Sequence, residues 1–546
     1  MKLGRETGIG RPIAFGPFRA PRQNHPRVPP AAVAHLGMTR RLCLTLALLT
    51  FVATTVRADV TLAPLFRDGA VLQRDKLVPV WGKGDPGETV QVRFGAQSLT
   101  ATTGPDGRWS VTLAPLRASA TPSELSVVGR NSLRVSDILV GEVWLCSGQS
   151  NMHFTVNGAR DSATEIAAAR NPLIRYFGTA NVGAETPQDT TEGAWKTASP
   201  ENVGVFSAVA YFFARDLQPR LGIPVGIVKG TPGGSAVEAW MNAATLAADP
   251  TAAAIEDRWK KTVAAYPKVK SNYEGALAQW ERAAAAAKAA GEKFTSPRPK
   301  APQPPGDRNR PSGLYNSNIH PFIPYAIRGF LWYQGEGNAS RPADYRVSFP
   351  AMIRQWRNDF RQGDLPFFFV QLANYEPANE PTGRQWAYQR EAQTAALALP
   401  QTGMAVTIDI GDPKDIHPTN KQEVGRRLAL LARTRVYGEK VPGECPRAAA
   451  FERDGAAFRV RFSSTDGLTL RKDAPVDVEL AGADHVFHPA AATIEGSALV
   501  VSSPAVPDPV AVRYAWRNNP PAALFSRDGL PVAPFRSDAW SAAPSP

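Results

Sequence analysis

A mixed α/β fold with β regions at both ends is predicted by three observations. From residue 136 onward, short apolar runs alternate with helical stretches, the pattern of strands and crossover helices in a mostly parallel sheet. Several of those runs exit into loops of Gly, Ser, Gln and Asn, where ligands bind beyond the carboxyl ends of strands. Residues 59–135 and 438–546 instead alternate β-branched or aromatic residues with polar ones between turn sequences.

In residues 59–135, VPVWGKGDPGETVQVRFG and SLTATTGPDGRWSVTLAPL read as strands, with GDPGE and GPDGR as their turns, and a sandwich or part of one fits. ILVGEVWLCSGQSNM, residues 138–152, is an apolar strand delivering a polar loop. SATEIAAAR follows as a helix and LIRYF as a strand. VFSAVAYFFARDL, residues 205–217, is apolar around most of its circumference, which predicts a buried helix. IPVGIVKG is the next strand, exiting through TPGGSAVEAW. After it come IRGFLWYQGEGNA (327–339), the amphipathic helix DYRVSFPAMIRQWRNDF, the strand LPFFFVQL, the helix WAYQREAQTAALAL and the strand MAVTIDI (404–410).

Residues 251–311 break the alternation. YEGALAQWERAAAAAKAAGEK is helical and SPRPKAPQPPGDRNRP is a stiff return, so the segment reads as a surface excursion whose charge is a solvated face without assigned chemistry. The predicted organisation has an upstream extension at 1–37, a signal peptide at 38–58 and a β domain at 59–135. An α/β domain follows at 136–250 and 312–437, interrupted by the insertion at 251–311, and a second β region occupies 438–546. The two β regions are expected to pack together as one accessory sandwich.

Composition excludes several classes. With 43% hydrophobic and 20% charged residues, the chain matches a soluble globular protein and not a disordered or membrane-embedded one. The net charge of +13 is uneven: residues 1–58 hold nine Lys or Arg and one acid, which leaves +5 for the remainder. No dense basic stripe tracks phosphates, so no nucleic-acid partner is expected. Arg40 and Arg41 before LCLTLALLTFVATTV, with Val56 and Ala58 as small residues at a cleavage site, read as a secretory signal. The expected location is periplasmic or secreted, with no membrane association after signal removal. Of the three cysteines, Cys43 leaves with the signal; Cys146 and Cys445 could pair in an oxidising compartment, but Cys146 is expected as a buried thiol in its apolar strand. There is no CxxC and no Cys/His cluster, so a structural zinc site is not suggested; no cofactor is expected.

The chemistry centres on Ser150. Gly148 lets the backbone turn there, and Gln149 and Asn151 bring amides that packing alone does not require. An ordinary strand-to-helix turn has the same composition, so the assignment depends on a base elsewhere. Five histidines survive signal removal: His153, His320, His417, His485 and His488. His417 follows the strand MAVTIDI, placing it on the same sheet edge as Ser150, and Pro418 suits the first turn of a following helix. Asp409, Asp412 and Asp415 are near it in sequence. Gly233, Gly234, Gln334 and Asn338 lie on strand exits and offer N–H donors for an oxyanion. Glu336 has no second acid or histidine at helical spacing to form a metal site with it.

GEVWLCSGQSNM, TPGGSAVEAW, IRGFLWYQGEGNA and DIHPTNKQEVGRRLA, in this order, resemble the sialate O-acetylesterase family of SGNH hydrolases, and VRYAWRNNPPAALF is similar to that family's C-terminal segment. The resemblance runs from about residue 59 to the end, apart from 251–311. It implies a flavodoxin-like SGNH-hydrolase three-layer domain, no required metal, and removal of O-acetyl groups from carbohydrate through an acyl-enzyme. Ser150 would be the nucleophile, His417 the base, and Gly233 or Gly234 the glycine-loop donor. SGNH enzymes generally place an asparagine in a GxND loop; QGEGN offers Gln334 or Asn338, with Gln334 favoured. Many also place Asp three residues before His, where this chain has Lys414, so Asp415 is preferred, then Asp412, then a dyad oriented by a carbonyl. The sugar is left open between sialic acid and plant hemicellulose. The alternative from another class is a secreted carbohydrate-binding protein without turnover.

Overall fold

The computed structural model describes residues 59–179, 182–302, 304–305, 308–463 and 467–540. The upstream extension and the signal peptide lie outside the described residues.

Seven strands form the part of the large sheet that positions the site. Their spatial order is Trp195–Ala198, Asn171–Gly178, Val225–Gly230, Ser132–Gly148, Gly329–Tyr333, Phe367–Val370 and Thr402–Ala405. All neighbours are parallel except the edge pair Trp195–Ala198 with Asn171–Gly178. Strands buried on both faces need apolar residues without alternation. GFLWY and FFFV supply them, and every residue in both is buried. Successive side chains of the central strand enter different cores, as the pleat dictates. Val143 and Leu145 join a cluster with Trp240, Trp332 and Trp356, whereas Trp144 and Cys146 join one with Phe212, Phe213 and Leu428.

The helices cover the sheet as the periodicity predicts. VFSAVAYFFARDL enters the helix Ala208–Leu221 at its fourth residue, and its Ser207 is the N-cap, accepting from the Ala210 amide at 3.3 Å. This helix crosses Lys421–Arg435 at Gly425, where a Cβ would stand 2.6 Å from Phe212 Cβ and 2.7 Å from the Phe213 nitrogen. Only a glycine permits that approach.

Two sequence expectations change. The boundary at 135/136 falls inside one strand of 17 residues, Ser132–Gly148, which pairs with Ser119–Val128 of the β region at one end and with Val225–Gly230 at the other. Val71–Gln73 also pairs with it, and Gln73 Oε1 accepts from the Val143 amide at 2.8 Å. Next, the strand predicted over 404–410 is Thr402–Ala405. Beyond it the Arg427 guanidinium takes the Val406 carbonyl at 2.6 Å and pairs with Asp409 at 2.6 Å, so this backbone bonds to a helix side chain instead of a neighbouring strand. The two β regions share no sheet: among the described residues, the strands after residue 438 pair only with one another. The C-terminal segment instead docks through buried Arg390, which donates to the carbonyls of Leu372, Ala373, Arg517 and Asn518 at 2.8–2.9 Å.

The insertion forms the helix Ala252–Ala289, of 38 residues, in which Ile255 alone is buried. Cys146 and Cys445 are both buried free thiols. Burial pushes both thiols up, Cys445 to about 11.

Candidate active site

The strand Ser132–Gly148 ends at a glycine with φ +142°, where a Cβ would lie 2.2 Å from the Tyr333 carbonyl oxygen. That closeness lets the Gln149 amide donate to the Tyr333 oxygen at 2.9 Å, and the short helix Ser150–His153 begins at once. Ser150 is the half-buried residue at its start. The neighbouring hydroxyl and thiol are committed elsewhere. Ser147 is buried and donates to the Gly230 carbonyl at 2.6 Å, and Cys146 is fully buried.

The glycine loop leaves the adjacent strand, Val225–Gly230. Thr231 Oγ1 donates to the Gly148 carbonyl at 2.9 Å, fastening this loop to the one that carries Ser150. An ideal Cβ on Gly233 would stand 3.6 Å from Ser150 Cβ, so the glycine lies against the serine. Gly234 has φ +69°, a conformation that favours glycine. Among the described residues no acceptor bonds the amides of Gly233 or Gly234.

Gln334 and Asn338, the side-chain donors expected from the sequence, are engaged in the framework. Gln334 is buried and its Nε2 donates to the Ser235 carbonyl at 3.1 Å and to Asn338 Oδ1 at 2.8 Å. Asn338 Nδ2 donates to Glu238 at 2.9 Å, while its Oδ1 also accepts from the Val237 amide at 2.8 Å. These contacts lock the QGEGN loop to the segment after the glycine loop, because a buried amide must find partners where it lies. Gln149 Oε1 ties the same loop in, accepting from the amides of Gly335 and Gly337 at 3.3 and 3.1 Å.

His417 lies on the loop after Thr402–Ala405, half-exposed, with its ring stacked on Phe154 at 6.4 Å between centroids. Asp415 Oδ1 accepts from the His417 amide at 2.8 Å and stands 3.7 Å from its Nδ1. The local turn that an extended segment lacks is thus present, although the ring contact exceeds a hydrogen bond. Asp412 faces its own loop, accepting from the Lys414 and Asp415 amides at 2.8 and 3.3 Å. The following helix starts at Lys421, three residues beyond Pro418, because Asn420 caps it by accepting from the Glu423 amide at 3.3 Å. Burial lowers the His417 pKa below the usual imidazole value; Asp415 opposes this and Lys421 adds to it.

Asn151 joins these pieces. Its Nδ2 donates to Glu336 Oε1 at 2.6 Å and to the Ile416 carbonyl at 2.9 Å, and its Oδ1 accepts from Lys421 Nζ at 2.6 Å. One amide beside Ser150 therefore touches the QGEGN loop, the residue before His417 and the next helix. Lys421 is fully buried, 5.0 and 5.4 Å from the ring centroids of Phe154 and Tyr333. Burial brings its pKa down to about 7 against the raising effect of Glu336, and burial also raises Glu336. Sequence reasoning missed Lys421: four residues after His417 it reads as a surface lysine at a helix start, and only the fold buries it.

His153 ends the turn that Ser150 begins. Its Nδ1 lies 3.0 Å from Lys229 Nζ and 3.1 Å from the Thr231 carbonyl. Burial, with Lys229 next, depresses it to about 4, so it is neutral at neutral pH. Among the described residues no three His, Cys, Asp or Glu side chains converge as metal ligands.

Residues 310–433 match the family model for carbohydrate esterases described as sialic acid-specific acetylesterases. Sialate O-acetylesterase of Mus musculus is 30% identical over 505 residues, covering 84% of this chain and 90% of that protein. The Homo sapiens enzyme of the same name is 29% identical over 420 residues, 69% of this chain and 71% of that one. A carbohydrate acetylesterase from Xanthomonas citri, known from its crystal structure, aligns with a TM-score of 0.74 at 40% identity, over 88% of this chain and all of that one. The protein is accordingly a carboxylic ester hydrolase. Within that class, it belongs to the sialate O-acetylesterase family.

Proposed function

We propose that the protein removes O-acetyl groups from carbohydrate through an acyl-enzyme formed on Ser150. The family supports the reaction, and one contact carries the residue assignment: Asn151, next to Ser150, donates to the carbonyl of Ile416, next to His417, at 2.9 Å. This contact supports the reading that nucleophile and base stand beside it on two loops. In this reading His417 takes the Ser150 proton as the hydroxyl attacks the acetyl carbonyl, then gives it to the leaving sugar oxygen. Water activated by the same imidazole releases acetate. Asp415 orients His417 through the loop it caps and favours the imidazolium that forms. The amides of Gly233 and Gly234 are the nearest candidates for the oxyanion, since the side chains of Gln334 and Asn338 are engaged.

The fold is read as a flavodoxin-like SGNH domain with accessory β regions before and after it. The substrate is an acetylated sialic acid or hemicellulose unit met in the periplasm or outside the cell. No helix among the described residues is long and apolar enough to cross a membrane. Acetate release from p-nitrophenyl acetate and from acetylated sialosides, xylan and xyloglucan tests the reading. Ser150→Ala should lower it by about four orders of magnitude. Undiminished turnover in that variant would remove Ser150 from the mechanism.

A further inference from the structure

The segment 251–311 was read from its sequence as a surface excursion, yet its two ends reach the glycine loop. Arg308 Nη1 donates to the Gly233 carbonyl at 3.2 Å, and an ideal Cβ on Gly233 would be 3.6 Å from both Arg308 Nη1 and Ser150 Cβ. The guanidinium and the serine thus flank one glycine. Among the described residues Arg308 has no carboxylate partner, and its Nε is buried without a hydrogen bond. The next residue, Asn309, accepts from the Ala236 amide at 3.3 Å.

Beyond Asn309 is a cavity of about 260 Å³ between the long helix and the two loops that flank Ser150. Ala236 and Gly337 form its inner side, and Gly337 is the residue whose amide holds Gln149. Ile255, Arg258, Trp259 and Thr262 form its outer side. They stand at positions i, i+3, i+4 and i+7, which places them on one face of the helix Ala252–Ala289. Core formation explains Ile255 but not the other three residues of that face, since Ile255 alone in the helix is buried.

The lining has the chemistry of a sugar site. The Trp259 ring offers an apolar face, braced by the Arg310 guanidinium 5.7 Å from its centroid. Arg341 and Arg258 are balanced by Glu238 at 2.9 and 3.6 Å, and Arg258 also by Asp344 at 3.3 Å. A wall of paired charges, an amide and an indole suits neutral hydroxyls better than a free ion. The volume is below the roughly 300 Å³ at which pockets for drug-sized ligands begin, a size for one ring and not for a chain.

We propose that the insertion builds a sugar-binding subsite of this esterase, in which one pyranose ring lies against Trp259 while Asn309 and Arg308 donate to oxygens of the ring and of the unit carrying the ester. The proposal rests on the esterase reading and adds where the glycan is held.

The test compares an ester with a sugar and one without. For Trp259→Ala, the ratio of kcat/KM on acetylated xylo-oligosaccharide or O-acetylated sialoside to that on p-nitrophenyl acetate should fall by about tenfold or more, through KM. Thr262→Phe, which fills the cavity from the exposed side of the helix, should do the same. Using the ratio removes any effect of partial misfolding common to both substrates. A ratio within about twofold of wild type in both variants overturns the subsite and leaves the esterase standing. A wild-type protein that releases acetate from p-nitrophenyl acetate but from no acetylated glycan also overturns it. Failure of the esterase reading shows differently, as no Ser150-dependent acetate release from any substrate, and takes the subsite with it.

Discussion

The Asn151 side chain donates to the Ile416 carbonyl at 2.9 Å while its oxygen accepts from the buried Lys421 ammonium at 2.6 Å. Asn151→Ala should therefore loosen the register between Ser150 and His417 without emptying the substrate site. We expect kcat to fall by about 10- to 100-fold with little change in KM, and unfolding free energy to fall by about 1–3 kcal/mol as Lys421 loses its acceptor. Steady-state kinetics beside a urea titration checks both. A change in KM alone would argue against a positioning role.

As the proposed base His417 must be neutral to accept a proton, so activity should rise with pH through its pKa. Burial lowers that pKa, which places the acid limb of kcat/KM below the ordinary imidazole value of 6.5. Asp415 raises it and Lys421 lowers it, so the two substitutions should move the limb in opposite directions. Asp415→Asn shifts it to lower pH, and by little, because Asp415 is 61% exposed and screened. Lys421→Met shifts it upward. Rate profiles from pH 4 to 8, a range of about two units on either side of the ordinary value, read both shifts; movement in the same direction would contradict the arrangement.

Two glycines should behave in contrary ways. A Cβ at Gly425 would press into the Phe212 Cβ and the Phe213 backbone at 2.6–2.7 Å, so Gly425→Ala should cost about 1–3 kcal/mol of stability through overpacking and leave the activity of the folded fraction intact. At Gly233 the nearest atoms would be 3.6 Å away, an ordinary contact. Gly233→Ala should keep its melting temperature and lose activity, because the added methyl lies over Ser150. Thermal melts and p-nitrophenyl acetate turnover separate the two.

Asn338 accepts from Val237 and Gln334 and donates to buried Glu238. Asn338→Ala strands all three, so the loss should appear mainly as stability, about 1–3 kcal/mol. A normal melting temperature with kcat lowered by about 100-fold would instead return Asn338 to the oxyanion.

The strands and helices of the central sheet were legible because burial on both faces demands uninterrupted apolar runs, as in FFFV, and because VFSAVAYFFARDL is apolar around most of its circumference, as a buried helix must be. The shortening of the strand at Ala405 was not legible, since it depends on Arg427 reaching the Val406 carbonyl from 21 residues away. In the site, the residue types at strand exits could be read, but not their bonding. Gln334 and Asn338 look like donors in sequence and are bonded to Ser235 and Glu238 by a fold that the local motif does not encode. Lys421 and the two ends of the insertion were invisible for the same reason. Their environment comes from segments far away in the chain.

The strand Ser132–Gly148 runs unbroken from the first β region to the turn before Ser150. Its first residues pair with Ser119–Val128 and its last with Val225–Gly230, so the leading β region is no detachable module. A domain swap or truncation joined at 135 would cut the backbone that sets the height of the serine. Any grafting of this enzyme onto another carrier has to begin upstream of Val71 and take the whole hairpin array along.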